Sequence, residues 1–411
     1  MFTDYSRFRG AFYMKLIHCA DLHLDSPMST WLSAAEAKER REELLGTWLR
    51  LVTYAAQHQV RAVLIAGDLF DTPAVRSTTA HAVLESVRTH PDISFFYLKG
   101  NHDTDSFLNQ AEALPENFHT FQDTWRKYRL SDHIVIAGRE FGGSGTLNEL
   151  AAKTLRLEEA DVNIVLLHGQ IRESSGQESS STETIRLTDY AHQSIDYLAL
   201  GHVHQYQAGE LDGRGRWCYP GCLEGRGFDE CTRHGFVLLD IDETQHQLKS
   251  QLVDISQRHL WTVPLKISGC TSSMEAVRRA RAELSLLSGT PSAEAELADI
   301  PAERIEGILA AGAGVRMRAQ DLVKLVLQGT LPMEAELNLH FMETQLAPMF
   351  YFLRIVNETR RALDVRPYRQ DKSLKGSFIH SVEEDATLDE SMKATVIETG
   401  LRLLRGEALE E

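Results

Sequence analysis

Apolar residues come in short blocks along the first half of the chain. The runs Lys15–Ala20, Val60–Ala66, Phe95–Leu98, Ile164–Leu167 and Tyr197–Leu200 are too short for core helices and read as buried strands. Between them the period changes. Ser33-Ala-Ala-Glu36 is a capping-box pattern, and apolar Leu44, Leu45, Trp48, Leu49 and Val52 predict an amphipathic helix to about His58. Ser77 to Thr89 predicts a second helix. This strand–helix alternation is the rhythm of an α/β layer fold. From Asp132 to Leu147 short strands and Gly-rich turns predict the second sheet of a sandwich, and Glu149 to Leu157 a helix. Glu173 to Thr184, rich in Ser, Gln and Glu, predicts a mobile loop, while Trp217–Cys222 and Gly235–Ile241 are expected to close the sheet.

Near Trp261 the pattern changes again. Strands are predicted at Val263–Ile267, Leu322–Gly329 and Phe350–Asn357, with a helix from Ser272-Ser-Met-Glu275 to about Leu287. Thr387-Leu-Asp-Glu390 is expected to cap a last helix to about Leu404. Ser288 to Gln320 suits a partly helical insertion, and Ala335 to Gln345 follows no single period. Three parts follow: a patternless, disordered extension over residues 1–13 (with Met14 an alternative start), a main domain over 14–260, and a smaller α+β domain over 261–411.

Composition narrows the classes. Lys and Arg number 43 against 59 Asp and Glu, a net charge of −16, which excludes coating nucleic acid by charge alone. Residues 354–376 run against that balance, with Arg354, Arg360, Arg361, Arg366, Arg369, Lys372 and Lys375 against three acids, a candidate DNA or partner surface. Five cysteines (19, 218, 222, 231 and 270) are an uneven, odd set, suited to reduced thiols in the cytoplasm, and their spacing is not that of a zinc module. No run of 18 apolar residues and no signal-peptide core is present, so a soluble protein without membrane contact is expected.

The five strands share one property. They end in Asp21-Leu-His23, Gly67-Asp68, Gly100-Asn-His-Asp103, His168 and Gly201-His-Val-His204, which would put ligand-type residues along one edge of a sheet, where open α/β sheets carry their sites. Gly67, Gly100 and Gly201 permit sharp turns beside them. A carboxylate, amide and imidazole set without thiolate suits Mn²⁺ or Fe²⁺ and accepts Zn²⁺.

In this order the motifs D-x-H, G-D, G-N-H-D, H and G-H-x-H resemble the calcineurin-like metallophosphoesterases over roughly residues 15–230. Asp21-Leu-His-Leu-Asp25-Ser-Pro27 and Gly67-Asp-Leu-Phe-Asp71 are most similar to SbcD-type DNA repair exonucleases, in particular the YhaO-like branch. The resemblance implies a β-sandwich flanked by helices, with a smaller C-terminal α+β cap domain. It implies two divalent metal ions, most suitably Mn²⁺. Asp21, His23 and His204 would hold one ion, Asn101, His168 and His202 the other, and Asp68 would bridge them. His102 takes the family position of the general acid facing the scissile phosphate, oriented by Asp71, with Asp103 second choice. The implied activity is DNA exonuclease, with endonuclease action on single strands or hairpins. The implied partners are DNA and an SbcC-like coiled-coil ATPase, and a homodimer stays open.

A cyclic- or small-nucleotide phosphodiesterase is the alternative, against which stand Gly67–Asp71 and the second domain. A Ser/Thr phosphatase fits less well, because Gly100-Asn-His-Asp-Thr-Asp105 lacks the Glu and Arg of that class. A metal-stabilised interaction subunit is disfavoured by the filled ligand positions. Cys222 stands where SbcD-like chains often have Ser or Asn, putting a phosphate contact in doubt. His18 reads as core and Asp25 as turn chemistry. At least two of Arg214, Arg216 and Arg226 read as solvated loop residues, leaving phosphate contact open for the rest.

Overall fold

The computed structural model describes residues 13–404, apart from 29–30, 72–74, 111–112, 141–148, 173–183, 232, 294, 296–299, 312–313, 363–367, 369–370 and 389. Cα proximity divides the chain into two units, Met1–Leu260 with Ala311–Gly314, and Trp261–Ala310 with Val315–Glu411.

In the first unit β1 (Tyr13–Cys19), β2 (Ala62–Ala66), β3 (Ser94–Leu98) and β4 (Phe118–Thr120) lie parallel. On the far side of β1, β13 (Gly235–Asp242) and β14 (Gln247–Asp254) extend this sheet antiparallel, giving the order β14-β13-β1-β2-β3-β4. A second sheet joins β5 (Arg126–Arg129), β6 (Ile134–Gly138), β7 (Val162–His168), β10 (Tyr197–Gly201), β11 (Gln207–Glu210) and β12 (Arg216–Tyr219) in the order β11-β12-β10-β7-β6-β5. Two-residue β8 (Gln170–Ile171) and β9 (Thr184–Ile185) pair with each other.

Successive residues of a strand face opposite sides, and both sides are buried here. Ile17, Val63, Ile65, Phe95 and Tyr97 pack under α1 (Ala34–Gln57) and α2 (Ser77–Arg88), against Trp48, Leu51, Val83 and Val87. Their alternates Leu16, Leu64, Phe96 and Leu98 meet Ile136, Ile164, Leu166 and Ala199 of the second sheet. The outer face of that sheet, with Val165, Leu167, Leu198 and Leu200, is closed by Ala152 of α3 (Glu149–Thr154) and Tyr190 of α4 (Leu187–Tyr190). Each large side chain so buried contributes about 1.5–3 kcal/mol. Mixed α/β, with two sheets faced by helices, is the fold.

α1 starts as its sequence predicts: Ser33 Oγ accepts from Glu36 N, and the Glu36 carboxylate accepts from Ser33 N at 2.7 Å. Its buried polar face fastens two distant loops. Arg40 pairs with Glu43 and donates to the Gly225 carbonyl at 2.8 Å. Arg258 Nε donates to Glu43 Oε1 at 2.8 Å, and Thr47 donates to Glu224 at 2.6 Å.

In the second unit β15 (Leu260–Lys266), β16 (Leu322–Gln328) and β18 (Phe352–Asn357) form a sheet in which β16 and β18 are parallel. The short strands β17 (Thr330–Leu331) and β19 (Arg360–Arg361) continue that pairing just beyond it. Val263, Leu265, Leu325 and Leu327 pack on Val277, Ala280 and Leu284 of α5 (Ser273–Leu287) and on Met342 and Leu346.

Several expectations are corrected. The five ligand strands do not end along one sheet edge: β1, β2 and β3 belong to one sheet, β7 and β10 to the other. Trp217–Cys222 and Gly235–Ile241 likewise join different sheets, because β13 pairs with β1 and β12 with β10. Ala335–Gln345 contains a helix, Leu339–Leu346, capped by Asn338, and Leu374–Glu384 is another that short apolar spacing conceals. The expected cap at Thr387 is spent on a turn: its N–H and hydroxyl both donate to Asp385 Oδ1, ahead of the last helix, Glu390–Leu404. The early strand starts at Tyr13, inside the predicted extension, whereas residues 1–12 and 173–183 lie outside the described residues. Among the described residues no helix is long and apolar enough to cross a membrane.

Candidate metal centre

The turns after β1 and β2 are stitched together by their backbones. Asp21 N donates to Gly67 O (3.0 Å), His23 N to Asp68 O (3.0 Å), Leu24 N to Leu69 O (2.9 Å) and Asp71 N to Leu24 O (3.0 Å). This arrangement forces left-handed backbone at Asp21 (φ 52°), His23 (φ 46°) and Asp68 (φ 53°), and His202 stands at φ 107°. For residues with a Cβ that costs about 1–3 kcal/mol each, strain of the kind that gathers at functional sites. A Cβ on Gly67 would lie 2.1 Å from His168 Nδ1, and one on Gly201 would lie 1.9 Å from the Ala66 carbonyl. Only glycine lets these strand ends approach so closely.

Asp103 ties in the third turn. Its carboxylate accepts from Leu69 N (3.1 Å), Phe70 N (2.9 Å) and Gly100 N (3.0 Å), which discounts it as the partner of His102. Burial lifts its pKa to about 6 despite those bonds. Asp25, as expected, is structural: it accepts from Arg76 N and Thr79 Oγ1 at the start of α2.

All seven expected ligand side chains converge. Ligand atoms of Asp21, His23 and His204 lie within 4.8 Å of one another, as do those of Asp21, Asp68 and His168. Asp68 Oδ2 stands 3.8 Å from His23 Nε2 and 3.4 Å from His168 Nε2. Asn101 Oδ1 lies 3.0 Å from His168 Nε2 and 3.4 Å from His202 Nδ1. Asp21 also accepts from His202 N, 3.0 Å from each of its oxygens.

The donor set suits cations for a reason visible in the ring nitrogens. His23 Nδ1 stands 2.9 Å from Asp71 Oδ1 and His204 Nδ1 faces Glu230 Oε1 at 2.6 Å, an environment that favours a hydrogen on each Nδ1. Both Nε2 atoms then present lone pairs, yet they face each other at 3.1 Å. His168 repeats the situation: Nδ1 meets the Ala66 carbonyl at 2.9 Å, turning Nε2 toward the Asp68 and Asn101 oxygens. Acceptors turned on acceptors need a positive charge between them. Without a metal that charge is a proton: burial disfavours it, but the Asp68 carboxylate outweighs burial and raises His168 to about 9. Asp68, also opposed by burial, is held well below the usual carboxylate range by His168 and His23.

His102 stands at the mouth with its side chain 44% exposed, and its backbone N donates to Asp68 Oδ1 at 2.9 Å. Its Nδ1 is 3.4 Å from Asp71 Oδ1, the residue expected to orient it. That same oxygen, however, lies closer to His23 and also takes Arg226 Nη1 at 3.2 Å. Asp71 therefore serves a ligand as well as His102.

Two residues of the centre have partners that a reading of the sequence alone does not give. Arg226, one of three arginines for which a phosphate contact stays open, is paired with Asp71 and Glu230. Glu230 accepts from His204 and from Arg226 N at 2.6 Å, and although burial opposes its charge, His204 and Arg226 bring its pKa down to about 2. The signal lies in its place, an acid in the loop between β12 and β13, two strands after G-H-x-H. Arg214 bridges Asp196 at 2.6 Å, while Arg216, partly exposed, reaches the exposed Glu210 at 3.0 Å, as a solvated residue does. Cys222 is buried, its thiol 3.3 Å from His234 Nδ1, so it is no phosphate contact. Cys218, Cys222 and Cys231 do not form a metal cluster among the described residues. Of the basic run, Arg361 is committed to the Met333 carbonyl at 2.7 Å, while Arg366 and Arg369 lie outside the described residues.

Paired carboxylates, an amide and four imidazoles at the ends of two facing sheets define a class. Residues 14–206 match the calcineurin-like phosphoesterase family model, and the first unit carries a calcineurin-like metallophosphoesterase domain. The uncharacterized metallophosphoesterase YhaO of Bacillus subtilis is 29% identical over 56% of this chain and 57% of its own length. The DNA double-strand break repair protein Mre11 of Methanopyrus kandleri is 24% identical over 56% of this chain and 54% of its own. The SbcD component of the Escherichia coli K12 nuclease SbcCD is 21% identical over 55% of this chain and 64% of its own. The chain thus aligns with somewhat more than half the length of these relatives.

Proposed function

We propose that the protein is a two-metal DNA nuclease that hydrolyses phosphodiester bonds as an exonuclease, with endonuclease action on single strands or hairpins. The carrying observation is Asp68, whose Oδ2 stands 3.8 Å from His23 Nε2 and 3.4 Å from His168 Nε2, a position that supports its serving two ligand sets. Asp21, His23, His204 and Asp68 would hold one ion, and Asp68, Asn101, His168 and His202 the other. Bound divalent ions, most suitably Mn²⁺, supply charge relief for the phosphate and activation of water at neutral pH.

The chain's own residues do the rest. Asp71 Oδ1 stands 3.4 Å from His102 Nδ1, and Nε2 is the ring nitrogen that would carry the mobile proton. As a general acid, His102 Nε2–H can protonate the departing oxygen. Its half-exposed side chain lets a long substrate reach it from solvent.

DNA as substrate draws support from the double-strand break repair and nuclease relatives. A coiled-coil ATPase partner and DNA handling by the second unit, as a cap domain, belong to the same reading, and the cytoplasm is the compartment it implies. Incubation of metal-loaded protein with duplex DNA, single-stranded DNA and cyclic nucleotides tests it. Release of nucleotides from DNA ends is the expected result. Turnover confined to cyclic nucleotides would replace it with the small-nucleotide phosphodiesterase.

A further inference from the structure

The imidazoles of the centre are held in different ways. His168 turns Nδ1 to a backbone carbonyl, and His202 turns Nδ1 toward Asn101 Oδ1 within the centre itself. His23 and His204 instead rest on carboxylates, Asp71 at 2.9 Å and Glu230 at 2.6 Å. A carboxylate behind an imidazole fixes its tautomer, aims its free lone pair and raises its basicity.

Glu230 is itself firmly seated. Oε2 accepts from Arg226 N at 2.6 Å and from the Cys222 thiol at 3.8 Å. Its backbone carbonyl meets His234 Nε2 at 2.6 Å, with His234 wholly buried. The Arg226 guanidinium then reaches both carboxylates, with Nη1 3.2 Å from Asp71 Oδ1 and Nη2 3.4 Å from Glu230 Oε1.

We propose that Glu230 is a positioning residue for the metal held by Asp21, His23, His204 and Asp68, and that Arg226 joins it to Asp71 so that both histidines are aimed as one unit. The inference rests on the two-metal reading above. Glu230 grips His204, and Arg226 links it to the carboxylate that grips His23, so its effect falls on the ion those two histidines share.

The test is calorimetric titration of the metal-stripped full chain with Mn²⁺ alone, supported by paramagnetic resonance of the free ion. Wild type takes up two equivalents. Glu230→Gln keeps size and one acceptor but loses the charge. It is expected to weaken one equivalent about 10–100-fold, leave the other unchanged, and leave the melting temperature of the metal-free protein close to wild type. Glu230→Asp, which keeps the charge but withdraws it from His204, should give a smaller loss at the same equivalent and serves if the Gln variant fails to fold. Asp71→Asn combined with Glu230→Gln should lose less than the two single losses multiplied together, because Arg226 couples them. Two wild-type equivalents that Glu230→Gln leaves untouched would overturn this inference alone. A wild type that takes up no Mn²⁺ would overturn the two-metal reading with it.

Discussion

Both units bury acids in the service of their own fold, but at the candidate metal centre of the first unit buried acids are used differently. In the second unit the buried carboxylates are spent on their own fold: Asp321 accepts from Trp261 Nε1 at 3.0 Å and from Arg318 N at 2.9 Å, and Glu283 pairs with Arg304 at 2.7 Å. In the first unit Asp21 and Asp68 are nearly as buried, yet what surrounds them is mostly histidine whose lone pairs point inward. A fold that closes its charges internally needs no ligand. One that converges acceptors on acceptors, over strained backbone, is completed by something from outside.

The largest effect expected from that contrast is at Asp68. Asp68→Ala removes the group proposed to be common to both ligand sets, and metal analysis of the purified variant should find neither ion, with phosphodiesterase activity gone. Retention of two ions would break the comparison at its centre.

Next in size is His102. His102→Asn leaves Asp68 and Asn101 in place, so metal content should hold while single-turnover cleavage falls about 10²–10⁴-fold, the scale of a lost general acid. Asp71→Asn, which from sequence would disturb only His102, should do more. Because Asp71 lies closer to His23 than to His102, metal affinity should fall about 10–100-fold along with turnover. Unchanged affinity in Asp71→Asn would return that residue to its simpler role.

The converse prediction concerns the second unit. Leu325→Ala empties a fully buried position in its sheet and should cost about 2–5 kcal/mol of that unit's stability. Mn²⁺ titration should be unchanged, since all seven proposed ligands belong to the first unit.

The candidate centre is legible in the sequence because its proposed ligands sit directly after apolar runs, where strand and turn are both local signals. Asp21, His23, Asp68, Asn101, His168, His202 and His204 all stand in such places, and the structure brings them together. What local pattern cannot carry is which strand lies beside which. β13 returns to pair with β1 across more than two hundred residues, and that pairing splits the expected single edge into two sheets. The partners of Arg226 and Glu230 are illegible for the same reason: an arginine open to phosphate contact and a loop acid pair only once Asp71 and His204 are brought to them. In the second unit the helix Leu374–Glu384 buries only Ile379, Val382 and Gly376, too sparse a stripe to declare itself.

Two buried histidines set the final test. His168, beside Asp68, is raised to about 9, whereas His18, fully buried against Tyr197 with its Nδ1 3.0 Å from the phenol oxygen, is lowered by burial to about 3. For His18 the folded pKa lies below the unfolded one, near 6.5. Its contribution is therefore complete above about pH 6.5 and is lost as pH falls from there toward 3, because only the unfolded chain takes up the proton. The slope is at most about 1.4 kcal/mol per pH unit. His18→Gln removes that slope but gives up the ring packed edge-on to Tyr197. In chelator-treated protein, where metal release cannot intrude, denaturant titrations should show wild type more stable at pH 7. The gap should close as pH falls through 5, since every other acid-sensitive group is common to both chains. A gap that stays constant from pH 7 to 4 would mean that His18 takes up its proton inside the fold, and the neutral core would then differ from the charged centre less than its burial requires.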